Sequence, residues 1–161
     1  MLNEHQISKV WQNMLAAEAR SLYFADLASR YTKQKQWITG ASFFLSSGAA
    51  ATIIAKAPSL VPIVLALIVA AVSAYSMAVN LDAKIGTMVK LHSTWNGIAI
   101  EYENLWNHTY AQNAEDQLDK IIRLEDEPSQ LATTAAPNDQ ELLGKWQQRV
   151  CLLHDLPNCS A

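Results

Sequence analysis

The sequence predicts an all-α membrane protein: a two-helix transmembrane hairpin with a cytoplasmic helical bundle. Three observations predict it. Half of the 161 residues are hydrophobic and only 17% are charged, against roughly a quarter in ordinary soluble domains. The deficit is concentrated, with 20 uncharged residues between Lys35 and Lys56 and 25 more between Lys56 and Asp82. A helix needs about 20 apolar residues to cross a ~30 Å hydrocarbon core, so the chain offers two spans in succession. The remaining segments follow helical periodicity, and neither a strand pattern nor an internal repeat is present.

Residues 1–36 read as a long amphipathic helix. Ile7, Met14, Ser21 and Ala28 share one heptad position, and Val10, Ala17, Phe24 and Tyr31 share the other. No Gly or Pro interrupts the segment. The seam is rich in aromatics, which suits bundle packing better than a free coiled coil.

The hairpin occupies 37–81, with spans at 37–55 and 60–81. Trp37 suits a membrane interface, with Lys33 and Lys35 just before it. Small residues dominate the first span, and they let helix backbones approach closely where lipid supplies no hydrophobic drive between helices. Lys56-Ala57-Pro58-Ser59 makes the turn, and Pro62 falls in the first turn of the next helix, where a missing donor is tolerated. In the second span Ala66, Ala70, Ala74 and Ala78 form a ladder spaced by four. Both flanks of a hairpin share one side. Lys33, Lys35, Lys84 and Lys90 lie there, against Lys56 alone in the turn, so the positive-inside bias puts both termini in the cytoplasm.

The second span is expected to continue unbroken through 82–125, as a helix to about Tyr110. Ile85, His92, Ala99 and Trp106 share one heptad position, and Met88, Trp95 and Tyr102 the other. At about 1.5 Å per residue this extension projects roughly 40 Å and should pair antiparallel with the N-terminal helix. A short helix follows over Ala114–Leu124 with Leu118, Ile121 and Ile122 inward. Residues 126–138, rich in Ser, Thr, Pro and Ala, read as a linker. The segment 139–161 carries a last amphipathic helix, with Leu142, Leu143, Trp146, Val150 and Leu153 on one face and Pro157 beyond it.

The formal charge of −3 hides an asymmetry: residues 1–36 carry five Lys/Arg against three Asp/Glu, and residues 113–161 carry four against nine. Nucleic-acid binding through an overall basic surface is disfavoured. Cys151 and Cys159 lack metal-ligand spacing and read as reduced cytosolic thiols. The first 36 residues hold eight charges and no apolar core of a secretory signal.

No catalytic constellation, metal site or cofactor motif is present. His5, His92, His108 and His154 are scattered, and His92 on the seam reads as a hydrogen-bonded core residue. The five glycines are dispersed, so there is no phosphate loop. The polar residues inside the spans carry more. Ser73, Ser76 and Asn80 fall within about 60° of one another on a helix, and Thr39, Ser42 and Ser46 form a second stripe. An amide such as Asn80 within the membrane has to face protein or water. The stripes either line a pore or join the two helices by hydrogen bonds. Two spans cannot enclose a channel, so a pore requires several copies. A second candidate site is the basic set Arg20, Arg30, Lys33, Lys35, Lys84 and Lys90, with Tyr31 and Trp95 beside it. Such groups hold a nucleotide or single-stranded oligonucleotide by phosphate pairing and base stacking, or else touch anionic lipid headgroups as topology signals.

The layout resembles the SLATT family, two-transmembrane effector domains associated with bacterial nucleotide-signalling and SLOG proteins. EARSLYFADLASRY running into WITGASFFLSSGAAATIIA carries the resemblance, with the later stretch LHSTWNGIAIEYENLWN and its spacing of Trp95, Tyr102 and Trp106. It covers about residues 5–125. The resemblance implies a pore-forming antiphage effector in the bacterial inner membrane, encoded beside a nucleotidyltransferase. A nucleotide or oligonucleotide from that partner is expected to control a homo-oligomeric ion channel, a tetramer being favoured, with depolarisation and growth arrest as the result. Two rival expectations are a non-conducting scaffold that recruits a soluble partner through its C-terminal helix, and a holin-like permeabiliser that needs no ligand.

Overall fold

The computed structural model describes residues 1–46 and 60–156. Its described residues are all-helical, with no strand among them: α1 Glu4–Ser46, α2 Leu60–Val79, α3 Leu81–Asn107, α4 Ala114–Leu124, α5 Asp126–Ala135 and α6 Gln140–Leu153. The all-α class expected from the periodicity is therefore met. Among the described residues no helix is long and apolar enough to cross a membrane. The side chains of Leu60, Val61, Pro62, Leu65, Ser76 and Met77 in α2 lie outside those described, as do the expected turn at Lys56–Ser59 and the tail from Pro157. The transmembrane hairpin is consequently not part of the fold described here.

The chain divides into two compact units, Met1–Leu27 with Gly86–Ala161, and Ala28–Ile85. Unit one is built on α1 and α3, which run antiparallel as expected. Asn13 meets Tyr102, Arg20 meets Trp95 and Ser21 meets His92, so residue numbers rise on one helix as they fall on the other. The core follows the heptads: Val10, Met14, Ala17 and Phe24 of α1 are buried against Met88, Trp95 and Tyr102 of α3, with Leu91, Ile98 and Leu105 between them. α1 begins with a reciprocal cap. The Asn3 side chain accepts from the Gln6 amide, and the Gln6 side chain accepts from the Asn3 amide, both at 2.8 Å.

His92 sits where the seam predicts, half-buried. Its Nδ1 lies 2.9 Å from Ser21 Oγ and 3.0 Å from the Ser21 carbonyl oxygen. The carbonyl can only accept, so Nδ1 donates in that contact.

The expected linker at 126–138 is instead helical as far as Ala135. Pro128 falls in the first turn of α5, where no intrahelical acceptor awaits its missing N–H, and Asp126 and Glu127 there favour the positive end of the helix dipole. Thr133 and Thr134 return their hydroxyls to the carbonyls of Ser129 and Gln130 at 2.9 and 3.2 Å. Ala136 turns extended before Pro137 and ends the helix.

Smaller departures follow from local geometry. In α4 Leu118 and Ile121 are buried but Ile122 is exposed, because the contact face is narrower than the apolar run. In α6 Leu142, Val150 and Cys151 are buried while Leu153 faces out. The inward place beyond the helix end goes to His154, whose Nε2 lies 2.8 Å from Glu18 Oε2 and whose ring packs edge-on against Trp11. Asp139 caps α6 by accepting from the Leu142 amide at 2.9 Å. The helix closes when the Leu156 amide reaches the Cys151 carbonyl at 3.0 Å across a left-handed Asp155. Cys151 is disulfide-bonded and not the reduced thiol expected. Cys151 is buried at the end of α6, and the chain's other cysteine, Cys159, lies outside the described residues.

Unit two holds the second part of α1, α2 and the start of α3. Helix α1 runs without a break through residue 36 to Ser46. The unbroken helix expected after the second span is interrupted at Asn80, which has φ of 43°. Asn tolerates that left-handed region because its short side chain bonds locally. Here Asn80 Oδ1 accepts from the Ala83 amide at 3.4 Å and its carbonyl accepts from Lys84 N at 3.2 Å, opening α3. The sequence signal was Asn followed by Asp82 in the first turn, a helix-start pattern.

Candidate functional site

The six polar residues expected to line a pore all belong to unit two. Thr39 and Ser73 are exposed and Ser42 is half-buried, while the side chains of Ser46 and Ser76 lie outside those described. Asn80 is exposed at the break between α2 and α3. Its amide shapes the backbone there, so its place in a stripe is secondary to that role.

Members of the basic set have different partners. Lys35 pairs with Asp82 at 2.5 Å and Lys90 with Glu127 at 3.0 Å, both exposed, and such pairs contribute little to stability. Within unit two the Lys84 ammonium lies 6.0 Å from the centre of the Tyr31 ring. Arg30 and Lys33 are exposed, and Lys33 borders a groove with Trp37 and Phe44.

In unit one the Arg20 guanidinium lies 4.5 Å over the Trp95 ring, a stack that draws on the negative face of the indole. The two line a cleft of about 530 Å³ whose other walls come from α5, from the segment joining α5 to α6, and from the start of α6. Tyr23 fixes that segment: its hydroxyl donates to the Pro137 carbonyl at 2.5 Å and accepts from the Asp139 amide at 3.5 Å. Trp146 Nε1 donates to Asp26 at 3.3 Å and ties α6 back to α1. Trp95 is 1% exposed, and its Nε1 is buried without a hydrogen-bond partner. Buried polar atoms are almost always satisfied, so each exception calls for an explanation.

Compared with family models, characterised proteins and solved structures, the chain matches none. Its function is accordingly argued from its own residues. Among the described residues there is no group of His, Cys, Asp and Glu placed to hold a metal.

Below the cleft, Tyr102 is fully buried and accepts from Asn13 Nδ2 at 3.2 Å. Burial pushes its phenol far above its ordinary value of 10.0, and donation to the Glu125 carboxylate adds to the shift. A group whose pKa is higher in the folded protein contributes stability in full below the unfolded value, and loses it as pH rises through the folded one. The wild-type melting temperature is therefore expected to fall above about pH 10. Tyr102→Phe, melted in parallel from pH 8 to 11, should show a shallower fall. Equal slopes in the two proteins would remove Tyr102 as the titrating group.

Sequence reasoning placed Arg20 and Trp95 in a ligand site and the structure joins them. It missed Asp139, Pro137 and α5, which complete the cleft, because 126–138 read as a linker. The signal was available in Asp126 and Glu127 placed just before Pro128.

Proposed function

We propose that this chain is a two-span protein of the bacterial inner membrane that assembles as a homo-oligomeric ion channel, with both termini cytoplasmic. On this reading it acts in antiphage defence. A nucleotide or single-stranded oligonucleotide from a partner nucleotidyltransferase controls it, and its opening depolarises the cell and arrests growth. The observation that carries the membrane part is the surface of unit two. Trp37, Phe43, Phe44, Ile63, Val64 and Leu67 are each at least half exposed, while Ala28 and Leu81 are the only residues of that unit among the described buried hydrophobics. An apolar surface of that extent requires a cover of lipid or of protein. The 20 residues of α2 include no charge, which favours lipid. Nucleotide control rests on the sequence resemblance alone.

Ion flux from liposomes holding the full chain tests this reading. Flux that products of a neighbouring nucleotidyltransferase switch on or off is the expected result. Constant flux would favour the holin-like permeabiliser, and silence from inserted oligomers the non-conducting scaffold. Ser73→Leu is expected to change single-channel conductance if that stripe faces ions, whereas Asn80→Leu tests the helix break. Arg30→Glu with Lys33→Glu should abolish nucleotide control if those residues hold the ligand, and intact control would leave them as topology signals.

In a variant lacking both native cysteines, the exposed position Gln148 changed to Cys reports which side of the membrane α6 faces. Labelling by an impermeant maleimide in intact cells would place α6 outside, and protection would place it in the cytoplasm.

A further inference from the structure

The geometry points to the Arg20–Trp95 cleft of unit one as a binding site for a small organic anion, one with an apolar body and a single phosphate or carboxylate. The volume, about 530 Å³, lies within the roughly 300–1,000 Å³ of small-molecule sites. The choice of an anion comes from Arg20. It is half-buried, its guanidinium stacked on an indole, and among the described residues no carboxylate lies within 4.0 Å of it. A guanidinium is a donor only, so what satisfies it is a group that accepts. Stacking on Trp95 withholds one face of Arg20 from water, which strengthens its pairing with an oxyanion.

The rest of the cleft decides the body and limits the charge. Phe24, Ala132, Ala136 and Leu143 give it apolar walls. Asp139 stands on the rim with one oxygen engaged by the Leu142 amide. One arginine and one aspartate in the same lining suit one oxyanion and repel a string of phosphates. The site is therefore built for a monophosphate or a carboxylate and against a triphosphate or an oligonucleotide. It rests on unit one alone, so the outcome of the flux experiment bears on neither its support nor its failure.

Isothermal titration of the full chain tests it, with adenosine monophosphate and 1-naphthoate as the two organic anions. Adenosine, inorganic phosphate and adenosine triphosphate serve as comparisons. Saturable binding of at least one organic anion is expected, about tenfold or more tighter than any of the three comparisons, since hydrogen bonds to charged groups are the stronger kind. Which anion binds separates an organic phosphate from a carboxylate. Arg20→Met should weaken binding about tenfold. Thr133→Trp changes an exposed residue of α5 on the cleft wall, leaves the core untouched and should block entry. Binding of neither anion more tightly than inorganic phosphate, or binding unchanged in both variants, would overturn the assignment.

Discussion

Leu67→Arg is expected to remove the protein from the membrane fraction. Leu67 lies well inside α2 and is 66% exposed, so an arginine there meets whatever covers that face. Replacing a leucine with an arginine at the centre of a spanning helix costs about 3–4 kcal/mol of insertion free energy, which is roughly two orders of magnitude in the inserted fraction. Carbonate extraction of cells expressing the variant should recover it in the soluble or aggregated fraction, while wild type stays with the membrane. Gln117→Arg, on an exposed position of α4, supplies the control and should extract as wild type does. Equal retention of Leu67→Arg and wild type would mean that the apolar surface of unit two meets protein and not hydrocarbon.

The second large effect belongs to the core of unit one. Tyr102→Ala should lower stability by about 3–5 kcal/mol, the range for removing a buried aromatic ring. Tyr102 is fully buried, and its loss also strands Asn13 and Glu125, the two polar groups it joins. A melting temperature lower by about 10 °C or more in far-UV circular dichroism is the expected reading. Tyr102→Phe separates the two contributions. It keeps the ring, loses the hydroxyl and should cost about 1–2 kcal/mol at neutral pH. A Tyr102→Ala protein that melts with wild type would show that the α1–α3 seam closes without this ring.

Periodicity carries far where one face of a helix does one job. Met88, Trp95 and Tyr102, seven apart, are all buried, and so are Val10, Ala17 and Phe24 opposite them. Spacing alone predicts this, because a residue every second turn returns to the same side. The helices Ala114–Leu124 and Gln140–Leu153 were legible for the same reason. What escaped was decided by competition between local preferences. Ser, Thr, Ala and Pro over 126–138 read as a loop by composition, yet an early proline and two acidic residues make a good helix start. The basic set read as one site because its members lie on two helices expected to be neighbours. In the structure three of them have partners of their own: Asp82 takes Lys35, Glu127 takes Lys90, and Trp95 takes Arg20. No spacing rule encodes which carboxylate comes within reach of which ammonium, since that is fixed only when the helices pack.

The left-handed residue between α2 and α3 makes position 80 a point where sequence drift has an abrupt effect. An ordinary L-residue there pays about 1–2 kcal/mol to hold a φ of 43°. Against that stands the alternative of relaxing to right-handed geometry and gaining the helical hydrogen bonds that the break forgoes. Glycine at this position keeps the break, whereas alanine or leucine favours fusing the two segments into a single rod from Leu60 to Asn107. Neighbouring positions in α2 accept exchanges among apolar residues gradually. Here the response has two values, broken or straight, and the identity of one side chain selects the value.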